Sequence, residues 1–125
     1  MAQPVVHVEI TGPDPDGLQE FYRRLFGWEY DTGNEVSRTI EKEHGSYGFV
    51  RRLGTDLQGG VGGGAAFGRH VLVYVAVPDV AAALAEVERL GGRKVLDAAR
   101  SPRTDLVIAQ FEDPAGNLMG LTETA

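Results

Sequence analysis

Cysteine is absent from this 125-residue chain, which excludes a disulfide framework, a thiolate metal site and a cysteine nucleophile. No apolar run approaches the roughly 20 residues that a membrane span needs. The opening stretch MAQPVVHVEI also lacks the basic segment and long apolar core of a signal peptide. A cytoplasmic protein with no membrane partner is therefore expected. Positive charge is scarce as well: 12 Lys and Arg stand against 18 Asp and Glu, a net charge of −6. Nucleic acid is held through clustered Lys and Arg, so no nucleic-acid partner is expected. The adjacent basic pairs Arg23-Arg24, Arg51-Arg52 and Arg93-Lys94 read as solvated surface on such an acidic chain.

Glycine is abundant instead. The chain has 17, about twice the usual share of ~7%, and nearly half of them lie between Gly45 and Gly64. Around that stretch the pattern is regular. Val5–Ile10 alternates, with Val6, Val8 and Ile10 on one face and Val5, His7 and Glu9 on the other, which predicts a strand. Asp14-Pro15 is an N-cap followed by proline at the first helical position, and Leu18, Phe21, Tyr22 and Leu25 then recur at helical spacing up to the stop at Gly27. Strands are predicted over Glu35–Glu43, Tyr47–Leu53 and the glycine-rich stretch after Gly59, with a turn at His44-Gly45-Ser46. The order then begins again. Val71–Val77 is a strand, Pro78-Asp79 a cap, and Val80, Leu84, Val87 and Leu90 are one face of a helix ending at Gly91-Gly92. Strands at Arg93–Leu96, Leu106–Phe111 and Leu118–Thr122 follow, with a loop over Ala98–Thr104 and a turn at Asp113-Pro114-Ala115-Gly116.

Phe21-Tyr22-Arg23-Arg24-Leu25-Phe26-Gly27 aligns with Ala85-Glu86-Val87-Glu88-Arg89-Leu90-Gly91, and Gly59–Gly63 can be set against Gly116–Gly120. The chain thus reads as α+β, two tandem βαβββ modules at residues 1–66 and 67–125 in one compact domain. A duplication of this kind predicts that the modules complete one curved mixed sheet around a cleft.

The element order, the phrases His7-Val8-Glu9-Ile10 and Phe21–Trp28, and the ending Asp113-Pro114-Ala115-Gly116-Asn117 resemble the vicinal oxygen chelate superfamily, the glyoxalase, bleomycin-resistance and extradiol-dioxygenase group. That resemblance implies paired βαβββ modules, a U-shaped cleft, often a homodimer, and in many members a divalent metal held by side chains on the first and last strands of each module. His7 stands at the interval before the helix phrase where such relatives carry their first ligand. The matching position in the second module falls on Leu72, which has no donor atom, and His70 lies two residues earlier on the same strand face. At the module ends, relatives carry Glu or Gln where this chain has Gly120 and, through the repeat, Gly63, so glycine there is expected to empty the metal positions and to enlarge the cleft. Glu9 and Glu123 are the carboxylates that could supplement two imidazoles, which by themselves fall short of the three or four protein ligands of a catalytic metal site. No cofactor or metal is therefore expected.

His7 and Glu9 share one face of the first strand. They either satisfy each other and their neighbours as interior polar groups or serve as an acid–base pair near neutral pH. His70, Leu72 and Tyr74 share a face of the second module's first strand. Gln110 interrupts an apolar strand, and a buried amide needs a partner in the protein or in a ligand. Tyr47, Phe49 and Arg51 alternate on one face, an aromatic and cationic wall of the cleft or, if that face is outward, a solvated surface or a dimer contact. Phe49, Arg51, His70, Leu72, Tyr74 and Gln110 are the expected ligand-binding residues, with His7 and Glu9 the expected catalytic pair. Trp28 is expected in the core or plugging a module edge, and His44 in solvent. Gly59–Gly64 is not followed by the Lys-Ser/Thr and helix of a phosphate-binding loop. The function expected is metal-free binding of a small hydrophobic or aromatic metabolite, similar to drug sequestration by bleomycin-resistance proteins. The alternative is a metal-independent or weakly metal-dependent lyase, isomerase or hydrolase that uses His7 and Glu9.

Overall fold

The computed structural model of the chain describes residues 2–31, 46–50, 57–64, 68–100 and 106–123. The predicted strand at Glu35–Glu43, the turn at His44 and the side chain of Arg51 lie outside them. Within the described residues the order is β1 (Val5–Gly12), α1 (Pro15–Phe26), β2 (Tyr30–Asp31), β3 (Ser46–Val50), β4 (Gln58–Gly63), β5 (His70–Val77), α2 (Val80–Arg89), β6 (Arg93–Arg100), β7 (Val107–Glu112) and β8 (Leu118–Glu123). This is the α+β, twice-repeated βαβββ order. The backbone groups into two units, one spanning His7–Val71 and the other joining Met1–Val6 to Leu72–Ala125.

In the unit His7–Val71 the strands lie in the order β2-β3-β4-β1. β1 runs parallel to β4 with Glu9 opposite Gly60, and β3 is antiparallel to β4 with Phe49 opposite Gly60. Helix α1 starts where Asp14 accepts from the Gly17 N–H at 3.1 Å and stops at Gly27, whose φ of 73° is the left-handed conformation glycine tolerates best. The packed side of α1 differs from the expected stripe. The Gln19 amide donates to the Val61 carbonyl at 2.8 Å and Tyr30 Oη donates to the Gln19 carbonyl at 2.9 Å. These bonds turn Leu18, Gln19 and Tyr22 inward and leave Phe21, Leu25 and Phe26 more than half exposed. Trp28 is half-buried and stacks on Tyr22 at 5.3 Å between ring centroids, so it closes an aromatic cluster at the helix end and does not enter the core.

In the other unit the order is β5-β8-β7-β6, and β5 runs parallel to β8 with Tyr74 opposite Gly120. The Pro4 carbonyl accepts from the Ala76 N–H at 2.9 Å. Val77, Val80, Leu84, Val107, Ala109 and Leu121 form its core. Helix α2 is held at its start twice over, because Asp79 accepts from Ala82 N–H at 3.0 Å and Glu123 at the end of β8 accepts from Val80 N–H at 3.1 Å. Replacing Glu123 by Ala should therefore cost about 1 kcal/mol through the lost cap, read as a lower midpoint in urea with an unchanged slope. Where a loop was expected over Ala98–Thr104, β6 continues through Ala98, Ala99 and Arg100, and the rest of that stretch lies outside the described residues. Every residue of β6 is exposed, and its pairing with β7 shifts register between Lys94 and Leu96 and between Leu96 and Ala99. An edge strand exposed on both faces carries no alternation to read, and its charges and bulges discourage further pairing. At Asp113-Pro114-Ala115-Gly116 the expected turn forms, with Asp113 Oδ1 accepting from the N–H groups of Ala115 and Asn117, both at 2.9 Å.

Candidate functional site

Strand alternation decides which side chains meet. In the unit His7–Val71, Gly48 faces Gln19 of α1, so Tyr47 and Phe49 face away from the helix. His7 meets them there. Its Nε2 lies 2.9 Å from Tyr47 Oη, and its ring is edge-on to Phe49 at 5.9 Å. Tyr47 and Phe49 are themselves T-shaped at 5.0 Å, the arrangement aromatic quadrupoles prefer. Glu9 lies with its Oε2 3.1 Å from His70 Nε2, and both side chains are mostly buried. The expected residues His7 and Phe49 are thus brought together, as are Glu9 and His70.

Burial pushes the His7 imidazole below its ordinary pKa, and the nearby Glu9 charge opposes that shift only in part. His7 is therefore a neutral imidazole at pH 7. Its folded-state pKa lies below the unfolded value of 6.5, so the unfolded chain binds the proton more readily. The contribution of His7 to stability is accordingly complete above pH 6.5 and falls as the pH drops from there toward the folded-state value. His7→Gln should show a smaller loss of Tm between pH 8 and pH 5 than the wild type, measured by thermal melts at both values.

In the other unit the odd-numbered β5 residues Val75 and Val77 belong to the α2 side, so Leu72 and Tyr74 face away from that helix. Both are buried, at 3% and 5% exposure. Gln110 alternates with the core residue Ala109 and reaches Tyr74, its Nε2 donating to the hydroxyl at 3.0 Å. Tyr74 and Gln110 are thus partners, a cross-strand bond for the amide that interrupts the apolar strand.

The glycines expected to widen a cleft do something else. A Cβ on Gly120 would lie 2.4 Å from the Tyr74 ring, and one on Gly60 would lie 1.9 Å from Tyr47 Oη. Rings therefore occupy the space above both residues. The structural counterpart of Gly120 is Gly60, not Gly63, since each faces a residue five before a helix cap, Glu9 before Asp14 and Tyr74 before Asp79. Gly63 is instead a backbone position with φ of 134°, where a Cβ would strike the Gly12 carbonyl at 2.0 Å.

A divalent ion of the kind found in many relatives does not fit these residues. Leu72 has no donor atom, rings cover Gly60 and Gly120, and Glu123 holds the start of α2. Among the described residues no three His, Asp or Glu side chains gather to hold a metal ion. On its α1 side, the unit His7–Val71 also carries an open hollow of about 580 Å³, bounded by Ile10, Thr11, Leu18, Phe21, Arg69 and His70. Only His70 of that lining was expected from the sequence, because Leu18 and Phe21 read as core. Tyr47 and Gly60 were not among the expected site residues either, although the alternation of Tyr47 with Phe49 was the signal for the first. Among the described residues no helix is long and apolar enough to cross a membrane.

Comparisons with known proteins agree with this architecture. A methylmalonyl-CoA epimerase in complex with methylmalonyl-CoA and NH4+ is 20% identical, with a TM-score of 0.64 over 100% of this chain and 96% of that one. The methylmalonyl-CoA epimerase from Mycobacterium tuberculosis is 19% identical, with a TM-score of 0.63 over 97% of this chain and 87% of that one. A hypothetical protein from Bacillus halodurans C-125 is 12% identical, with a TM-score of 0.69 over 100% and 96%. These likenesses concern the fold. No curated protein matches the sequence. The model of the glyoxalase-like domain matches residues 7–122, and the chain accordingly belongs to that family, within the vicinal oxygen chelate superfamily.

Proposed function

We propose that this chain binds a small aromatic or hydrophobic molecule, without a metal ion, against the strand face that carries His7, Tyr47 and Phe49. The observation that carries the reading is the 2.9 Å contact of His7 Nε2 with Tyr47 Oη inside a wall of aromatic rings. Apolar walls with a few placed polar groups are the usual make-up of a small-molecule site. His70 is a further proposed contact in the same unit, and Leu72, Tyr74 and Gln110 are proposed ligand contacts of the other unit. Titration calorimetry and thermal shift against planar aromatic metabolites, with EDTA present, should find ligands that raise Tm. Silence across the whole set would end this reading. A ligand at 100 times its Kd should add about 2.7 kcal/mol of stability.

A homodimer is part of the proposal, supported by Phe21, Leu25 and Phe26, which leave an apolar side of α1 in solvent. Phe21→Ser with Leu25→Ser should yield a monomer in sedimentation, and wild-type protein that is already monomeric at micromolar concentration would refute the dimer.

A second reading has its own support in the depressed pKa of His7. A neutral imidazole bonded to a tyrosine hydroxyl can take a proton from a ligand, and Glu9 stands near enough to stabilise the resulting charge. Lyase, isomerase or hydrolase chemistry would use that step, and the likeness to epimerases favours isomerisation among the three. His7→Ala separates the readings: an enzyme loses turnover with its fold intact, whereas a binding protein changes only in affinity.

A further inference from the structure

We infer that the hollow on the α1 side of the unit His7–Val71 is a second small-molecule site, fitted to an uncharged aromatic ring that carries one hydroxyl, with His70 accepting that hydroxyl's proton. It is separate from the face of His7, Tyr47 and Phe49, because alternation along β1 puts Ile10 of the hollow on the opposite side from His7 and Glu9. Its volume of about 580 Å³ falls within the ~300–1,000 Å³ of small-molecule pockets. Ile10 of β1, Leu18, Phe21 and Tyr22 of α1, and Val71 of β5 are its apolar walls. The rings of Phe21 and Tyr22 meet edge to face at 5.1 Å, which gives a flat molecule an aromatic corner to pack into. Phe21 and Val71 are 56% and 67% exposed, so apolar surface stands in water at the mouth until a ligand covers it.

The polar groups around the hollow select the ligand. Two are already used: the Thr11 hydroxyl donates to the Gly68 carbonyl at 3.0 Å, and Asp14 Oδ1 accepts from the Gly17 N–H at 3.1 Å. His70 is different, because only one of its nitrogens is held. Its Nε2 lies 3.1 Å from Glu9 Oε2, and a carboxylate only accepts, so Nε2 carries the proton and Nδ1 the lone pair. Nδ1 makes no hydrogen bond among the described residues. His70 therefore stands between the two sites, with Nε2 committed to Glu9 and Nδ1 left as an acceptor for a donor in the hollow. Arg69 lines the hollow beside it and is exposed. Its charge disfavours an ammonium donor and favours a hydroxyl whose oxygen gains negative charge as it donates, which is a phenol. A carboxylate ligand has no proton to give, and Asp14 on the same lining repels it.

The test uses the full chain at pH 8 with 2-naphthol, a planar phenol, and with 2-methoxynaphthalene, the same ring system without the donor. Calorimetry reads affinity and NMR reads position. Naphthol should shift the methyl signals of Ile10 and Leu18. Val71→Trp sets a large ring in the mouth at an exposed position, so it should weaken naphthol at least tenfold while Tm stays within a few degrees. His70→Gln keeps an amide able to donate to Glu9 but removes Nδ1, so naphthol affinity should fall about tenfold and that for methoxynaphthalene should not change. The same result for both probes in His70→Gln would refute His70 as the acceptor, and undiminished affinity in Val71→Trp would refute the hollow as the site. Shifts confined to the His7 imidazole would put the probe on the strand face, overturning the second site and leaving the binding reading of that face intact. Ile10 and Leu18 signals that never respond to naphthol would also overturn it, and their response to dilution of the protein alone would make a second copy of the chain the occupant.

Discussion

Replacing Leu84 by Ala should lower stability by about 2–5 kcal/mol, the range for deleting a large aliphatic side chain from a packed core. Leu84 is only 3% exposed and packs with Val77, Val80, Val107, Ala109 and Leu121. A urea denaturation curve should show the midpoint falling with the slope unchanged. At the other helix the same experiment gives a different result. Phe21 is 56% exposed, so Phe21→Ala should alter monomer stability by no more than about 0.5 kcal/mol. The contrast bears on the site as well as on the fold. Gln110 alternates with the core residue Ala109 on β7, and Tyr74 alternates with Val75 and Val77 on β5. The packing of α2 on one side therefore fixes where Gln110 and Tyr74 point on the other. A Leu84→Ala cost below about 1 kcal/mol would mean that α2 is not docked on this core.

The helices show how far the sequence could be read. Asp14-Pro15, Gly27 and Asp79 mark helix ends by local chemistry, a side-chain acceptor for an unpaired N–H or a left-handed residue, and these signals need no tertiary information. The core face of α2 was legible too, because Val80 and Leu84 are apolar and meet apolar strands. In α1 the phase was lost. Its inner face includes Gln19, whose side-chain amide donates to the Val61 carbonyl and whose backbone carbonyl accepts from the Tyr30 hydroxyl, and no hydrophobic pattern announces an amide that finds its partner 42 residues away. Strand β6 past Leu96 was invisible for the opposite reason: a strand with neither face buried has no alternation. In the strands, parity put His7 with Glu9, Tyr47 with Phe49, and Leu72 with Tyr74 on common faces, but which strand each face meets needed the pairing that only the structure shows. The glycines misled, since a missing side chain reads as open space in a sequence, while in the structure rings from β3 and β5 fill that space.

Gly60→Ala should have an effect out of proportion to a single methyl group. Gly60 does not have a positive φ, so alanine meets no backbone strain there and the whole effect is steric. The new Cβ would lie 1.9 Å from Tyr47 Oη and 2.3 Å from Cε2, distances no contact tolerates, so the ring must swing off the strand. The expected cost is about 1–3 kcal/mol for the overpacked position, with loss of the His7–Tyr47 hydrogen bond in addition. A double-mutant cycle isolates the cause. Tyr47→Ala removes the obstacle, so Gly60→Ala in that background should cost almost nothing, and the difference between the two backgrounds is the coupling energy of ring and glycine. The same swing should move the NMR signals of the His7 imidazole, because Tyr47 is its hydrogen-bond partner and stacks on it at 6.4 Å. If Gly60→Ala is neutral and leaves those signals unmoved, Tyr47 does not lie over Gly60, and the wall of rings around His7 is not built on that glycine.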